Sequence, residues 1–169
     1  MRSQLTRLAL LWALVLPALA GCSGGEPTRF YLLTPIAEEA STAASTEMAI
    51  GVGPVALPRY LVRPQIVTQV DGNELQLTEF NQWGGELEDN FTRVLGTNIA
   101  LLLPTEKIAL YPWGAGPAPP IDYQVLVDIT SFERDSTGDC VLTAFWRIAK
   151  GDGSEILLTR RSSFREPVG

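Results

Sequence analysis

Tyr123-Gln124-Val125-Leu126-Val127-Asp128-Ile129-Thr130 decides the fold class. Tyr123, Val125, Val127 and Ile129 alternate with Gln124, Leu126, Asp128 and Thr130. That period of two belongs to a strand with one face on a core and the other nearer water. Downstream, Val141–Ile148 follows a Ser136-Thr137-Gly138-Asp139 turn, and Ile156–Phe164 follows Lys150-Gly151-Asp152-Gly153. Three long strands separated by turns predict an antiparallel meander at the carboxy-terminal end.

Working back toward the amino terminus, Pro112–Pro120 reads as a loop and Lys107–Tyr111 as a strand. Gly84–Leu103 reads as a helix. Leu87, Phe91, Val94, Leu95, Asn98, Ile99 and Leu102 draw one stripe at the helical period, and Pro104 closes the segment. Glu86, Glu88 and Asp89 crowd its first turns, where the helix dipole favours acids. Gln65–Val70 and Glu74–Leu77 flank Asp71-Gly72-Asn73, a hairpin signal. Leu57–Pro64 is bracketed by prolines and has room for one helical turn. Met48–Val55 is β-prone. Its Gly51-x-Gly53 lacks the third glycine of a phosphate loop and reads as a close backbone approach or a bulge. Phe30–Leu33 reads as a first strand, and Glu38–Glu47 as a solvated linker.

The first 22 residues read differently. Arg2 and Arg7 precede an apolar run from Leu8 to Ala20, and Leu19-Ala20-Gly21-Cys22 follows the pattern of a lipoprotein signal. The run is too short to span a bilayer. The reading divides the chain into a signal peptide (1–21), a lipidated amino terminus with first strand and linker (22–47), and the rest of one domain (48–169). Acyl chains on Cys22 would anchor the mature protein, since two chains hold where one binds marginally. By resemblance to enterobacterial lipoproteins, where an Asp after the cysteine retains the protein in the inner membrane, Ser23 implies the outer membrane, with the domain facing the periplasm.

Composition narrows the function. The formal charge is −6, and loss of Arg2 and Arg7 with the signal makes the mature charge −8. Such a domain repels nucleic acid. There is no histidine, so Ser-His and Cys-His catalysis are excluded. With Cys22 assigned to the lipid, Cys140 stands alone in a strand-like run and reads as a small core hydrophobe. No metal or cofactor is expected beyond the covalent lipid on Cys22. Asn90-Phe91-Thr92 matches a glycosylation sequon but falls inside the helix of a bacterial-type lipoprotein and is discounted.

Four features carry a family resemblance. They are the lipobox followed by Phe30-Tyr31-Leu32-Leu33; the segment Val52-Gly53-Pro54-Val55-x-Leu57-Pro58-x-Tyr60-Leu61-x-Arg63-Pro64-Gln65-Ile66-Val67; Trp83 ahead of an amphipathic helix; and Val141-Leu142-Thr143-Ala144-Phe145-Trp146. Together they resemble the ABC-type transport auxiliary lipoproteins, also called PqiC-like lipoproteins. The resemblance implies an α/β domain with a mixed sheet and flanking helices on both faces, similar to the amino-terminal domain of TolB. It also implies work beside an MCE-domain periplasmic protein and its permease in lipid transport across the Gram-negative envelope. Relatives of this type continue into a carboxy-terminal amphipathic helix. This sequence stops at Gly169 without one: either the stop is genuine, and an uncovered sheet face predicts self-association into a homo-oligomer, or the sequence is a fragment.

Candidate partner-binding residues are Tyr60, Arg63 and Trp113. An arginine between prolines suits a carboxylate or a lipid phosphate, and a tryptophan in a Pro-Gly loop suits an interface. Trp83 reads as core packing. Three functions stand: a non-enzymatic lipid-transport lipoprotein, a TolB-like binding lipoprotein of an envelope or cell-wall assembly machine, and a lipid-anchored hydrolase. The last needs two carboxylates across a cleft, which the helix-start acids do not supply.

Overall fold

The computed structural model describes residues 26–36, 46–71, 73–103, 105–114 and 119–167. The signal segment, Cys22, most of the Glu38–Glu47 linker and Pro104 lie outside them. One mixed sheet of eight strands organises the rest: β1 (Arg29–Tyr31), β2 (Ile50–Ala56), β3 (Gln65–Asp71), β4 (Glu74–Trp83), β5 (Ile108–Leu110), β6 (Tyr123–Arg134), β7 (Asp139–Lys150) and β8 (Ile156–Pro167). A helix α1 (Leu87–Leu102) and a 3-10 turn (Arg59–Leu61) complete it.

The expected meander is present, with each strand at twelve residues. β6 pairs antiparallel with β7, and β7 with β8. Along its other edge β6 receives β2 in parallel from Tyr123 to Asp128, and β3 in parallel at Arg134. The chain therefore follows β6, steps off at Ala56, makes the 3-10 turn between Pro58 and Pro64, and rejoins β6 near its far end. β5 adds parallel to β2, β4 antiparallel to β3, and β1 parallel to β4.

A bulge between Ile129 and Ser131 shapes the core. Val127 and Ile129 face inward. After the extra residue Phe132 takes the inward place, because a bulge resets the period-two alternation. Phe132 then stacks on Trp83 at 5.7 Å and meets the edge of Phe91 at 5.1 Å. Val55, Leu61, Val67, Leu87, Ile129 and Ala144 are buried around this aromatic group. Leu61 is 2% exposed, so the 3-10 turn is held by burial worth about 1.5–3 kcal/mol.

Three expectations are revised. β4 runs on to Trp83, past Leu77, because β1 and β3 pair on its two edges. Trp83 thus ends a strand, and the helix begins at Leu87 after Gly84-Gly85. The helix stripe is also displaced: Leu87 is buried as expected, but Asn90, Thr92 and Gly96 are the other buried positions and Leu102 is 53% exposed. The displacement follows from close packing, since Gly96 sits against Leu110 and Ile108 where a β-carbon would lie 2.5 Å from Leu110 Cδ2. Finally, one α-helix flanks the sheet among the described residues, and its own Leu87 and Phe91 share a core with the 3-10 turn's Leu61. The resemblance had implied helices on both faces.

Candidate functional surface

Of the four residues singled out in the sequence, the three described ones, Tyr60, Arg63 and Trp113, do not form one site. Cys22 lies outside the described residues. Tyr60 turns inward from the 3-10 turn and packs against the core. Its hydroxyl donates to Glu133 Oε2 at 2.8 Å, and the Phe132 amide donates to the same oxygen at 2.8 Å. Burial first, and then the Glu133 carboxylate, push the Tyr60 phenol well above its ordinary pKa. Tyr60 is a positioned structural donor here. Nothing in the sequence marks Glu133 as its partner, 73 residues away.

Trp113 is half-buried. It lies over Gly51, where a β-carbon would come within 2.8 Å of its ring and 2.5 Å of Ile121 Cδ1. Tyr111 meets it edge-on at 5.5 Å. Gly51 is thus the close approach expected for that segment. Gly53 carries φ of +106° beside a register shift between Val52 and Val55, so a bulge is present as well.

Arg63 is different. It follows the 3-10 turn, is half-buried, and its Nε is buried with no hydrogen-bond partner. A buried polar group left unpaired costs about 1–3 kcal/mol, more when charged. The segment around it is tied down: the Trp83 amide donates to the Pro64 carbonyl at 2.7 Å, and the Gly84 amide to the Tyr31 carbonyl at 2.8 Å. Leu33 to Ile36 then runs beside α1, where Arg93 donates to the Leu33 carbonyl and Asn98 accepts from the Ile36 amide. Phe30 (67% exposed), Leu32 (59%) and Val62 (58%) stand out on this end.

Elsewhere the polar chemistry is structural. Asp135 caps the β6–β7 turn, accepting from the Thr137 hydroxyl and from the Thr137 and Asp139 amides, and it pairs with Arg165 on β8. These bonds, Thr137 foremost, lower its carboxyl to about 2. Burial pushes the Cys140 thiol up, and the Glu133 charge adds to it, so the thiol stays protonated at neutral pH. Glu86, Glu88 and Asp89 are exposed around the helix start. Two grooves open on the surface, one beside the β6–β7 turn and one beside the β7–β8 turn. Among the described residues no helix is long and apolar enough to cross a membrane.

A sequence profile described as the ABC-type transport auxiliary lipoprotein component matches residues 31–169. The chain belongs to this family. It is 26% identical over 148 residues to the intermembrane transport lipoprotein PqiC of Escherichia coli (strain K12), covering 86% of this chain and 73% of that protein. The same figures hold for PqiC of Shigella flexneri. Among solved structures, protein XCC0632 from Xanthomonas campestris superposes with a TM-score of 0.70 at 14% identity, over 83% of this chain and 78% of that one. A second, an uncharacterized protein, gives 0.64 at 19% identity over 84% and 81%. The two structures share the fold. Tyr60, Arg63 and Trp113 all fall within the family match, and Cys22 precedes it.

Proposed function

We propose that this protein is a lipid-anchored accessory of an ABC-type intermembrane lipid transport system. It is held at the outer membrane by acyl chains on Cys22 and docks an MCE-domain periplasmic protein whose permease drives transport. The observation that carries this reading is the family match over residues 31–169, with the similarity to a protein named for intermembrane transport beside it. The relatives are named as transport lipoproteins and not as enzymes, which supports a positional role. Within the fold, Tyr60 is bonded to Glu133 and Asp135 to Arg165.

The test is capture of the tagged, full-length protein from crosslinked envelopes, read by mass spectrometry. Recovery of an MCE-domain protein together with a permease supports the reading. Recovery of cell-wall assembly enzymes in their place would favour the TolB-like alternative, and turnover of a lipid or glycan by the purified protein would overturn the positional role.

A further inference from the structure

We propose that the end of the domain bearing Phe30, Leu32, Val62 and Arg63 faces the bilayer, and that the Arg63 guanidinium there receives the phosphate of a zwitterionic phospholipid headgroup. The inference rests on the anchoring at Cys22 described above and adds to it an orientation and a ligand.

Arg63 is singled out by its missing partner. Arg93 and Arg134 reach backbone carbonyls, and Arg147 and Arg165 reach carboxylates. Arg59 is exposed, so water serves it. Arg63 alone among these is half-buried with its Nε sealed from water and unbonded. A guanidinium is a planar fork of donors matched to phosphate oxygens, and it stays charged when partly desolvated. A phosphate would meet the donors on the open side of that fork; the sealed Nε itself lies out of its reach.

The surroundings suit a membrane surface. Pro64 and Tyr31 hydrogen-bond to Trp83 and Gly84 from either side, which sets Arg63 and Leu32 two strand spacings apart, about 10 Å. Phe30, Leu32 and Val62 are 67%, 59% and 58% exposed, three of the most exposed large apolar side chains described. Phe30 lies eight residues after Cys22, so an acylated Cys22 holds this end within about 28 Å of the bilayer. The same end carries exposed acids, Glu86 and Glu88, shortly after Gly84. It is therefore no general attractor of anionic lipid. A zwitterionic headgroup answers both signs, its phosphate toward Arg63 and its ammonium toward the carboxylates.

The test uses the full-length acylated protein reconstituted in phosphatidylethanolamine-rich vesicles. A fluorophore is placed at Val62→Cys in a Cys140→Ala background, with Ser154→Cys as the distant control. Quenching by a headgroup-borne spin label should be strong at position 62 and weak at 154. Arg63→Ala should reduce the seated fraction about fivefold, in keeping with one cationic contact at a membrane surface, and Arg63→Lys should restore part of it. Unchanged melting of Arg63→Ala separates this loss from misfolding, and Arg63→Lys serves as the variant if Ala fails to fold. The intact mass reports acylation at Cys22 independently: an acylated protein without quenching at 62 overturns the orientation alone, and an unacylated one overturns the anchoring on which it rests. Equal quenching in Arg63→Ala overturns the role of Arg63. So does binding of inorganic phosphate to Arg63 without vesicles at an affinity that matches the seated state, since the site would then be a free-phosphate site.

Discussion

Tyr60 and Glu133 join the 3-10 turn to the last third of β6 through one 2.8 Å hydrogen bond. The bond sits where the chain leaves β2 and before it rejoins β6 as β3, so it pins the crossing segment to the strand it bridges. Tyr60→Phe should destabilise the fold by about 1.5–3 kcal/mol, the range for a hydrogen bond to a charged group. Urea unfolding measures it, and a double-mutant cycle with Glu133→Gln should show that the two losses overlap. The pH dependence follows from the raised phenol pKa. The contribution is complete below about pH 10, where the unfolded phenol titrates, and is lost as the pH rises further. An ultraviolet titration should show Tyr60 ionising only with alkaline unfolding.

Gly151 and Gly96 predict opposite outcomes for the same substitution. A β-carbon on Gly151 would fall 1.7 Å from the Ile121 carbonyl oxygen, a backbone atom held by the Gly151–Asp122 hydrogen bond. Gly151→Ala should cost about 3 kcal/mol, at the upper end for overpacking. On Gly96 the close neighbour is Leu110 Cδ2, the end of a flexible, part-exposed side chain. Gly96→Ala should be near neutral, because the helix-propensity gain of about 1 kcal/mol offsets the crowding. Thermal melts of the two variants decide both.

What was legible in the chain reflects what its residues face. β6 announced itself because Val127 and Ile129 meet the core, while Gln124 donates to the Gly53 carbonyl and Asp128 pairs with Arg147. The second half of β4, Thr78-Glu79-Phe80-Asn81-Gln82-Trp83, has no such alternation. It is a strand because β1, 52 residues earlier, and β3 pair with its end. The inward turn of Tyr60 was equally hidden, since the carboxylate that holds it comes from a remote strand. Gly96 was hidden for a further reason: a glycine inside a helix reads as a weakness until the strand beneath it is known. Arg63 was legible as a candidate, but only the structure shows that its Nε has no partner.

The aromatic group over β6 sets the cost of losing the helix contact. Phe91 is half-buried and meets Phe132 edge-on at 5.1 Å, with Trp83 stacked on the far side. Phe91→Ala should cost about 3 kcal/mol, the low end for a core aromatic because part of the ring already faces water. Phe132→Ala, which strips both ring contacts, should cost more. Paired denaturant curves would show the order, and the reverse order would mean that α1 is held elsewhere.

Asp135 gives the β6–β7 turn an acid limit. Its carboxyl is lowered to about 2 by the Thr137 hydroxyl first, then by Arg165 and the turn amides. A lowered carboxyl stabilises the fold above its unfolded pKa, near 4, and that help fades as the pH falls from there through about 2. The Thr137 and Asp139 amide resonances should shift together over that window, and Asp135→Asn should abolish the shift. A shift centred near pH 4 would mean that the clamp with Arg165 is open in solution.

The amino terminus carries the prediction on which the functional reading depends. Leu19-Ala20-Gly21-Cys22 places a thiol directly after the small residues that a lipoprotein signal peptidase requires, behind an apolar run with two arginines ahead of it. Cys22→Ser removes the atom that would take the diacylglycerol and leaves the domain untouched, because Cys22 precedes both β1 and the family match. Metabolic labelling with a fatty acid should mark the wild-type protein and not the variant. The variant should fractionate away from the outer membrane while melting at the same temperature. Equal label in both would place the acyl chain elsewhere and remove the anchor. A variant that stays at the outer membrane without label would show that protein contacts are enough to hold it there.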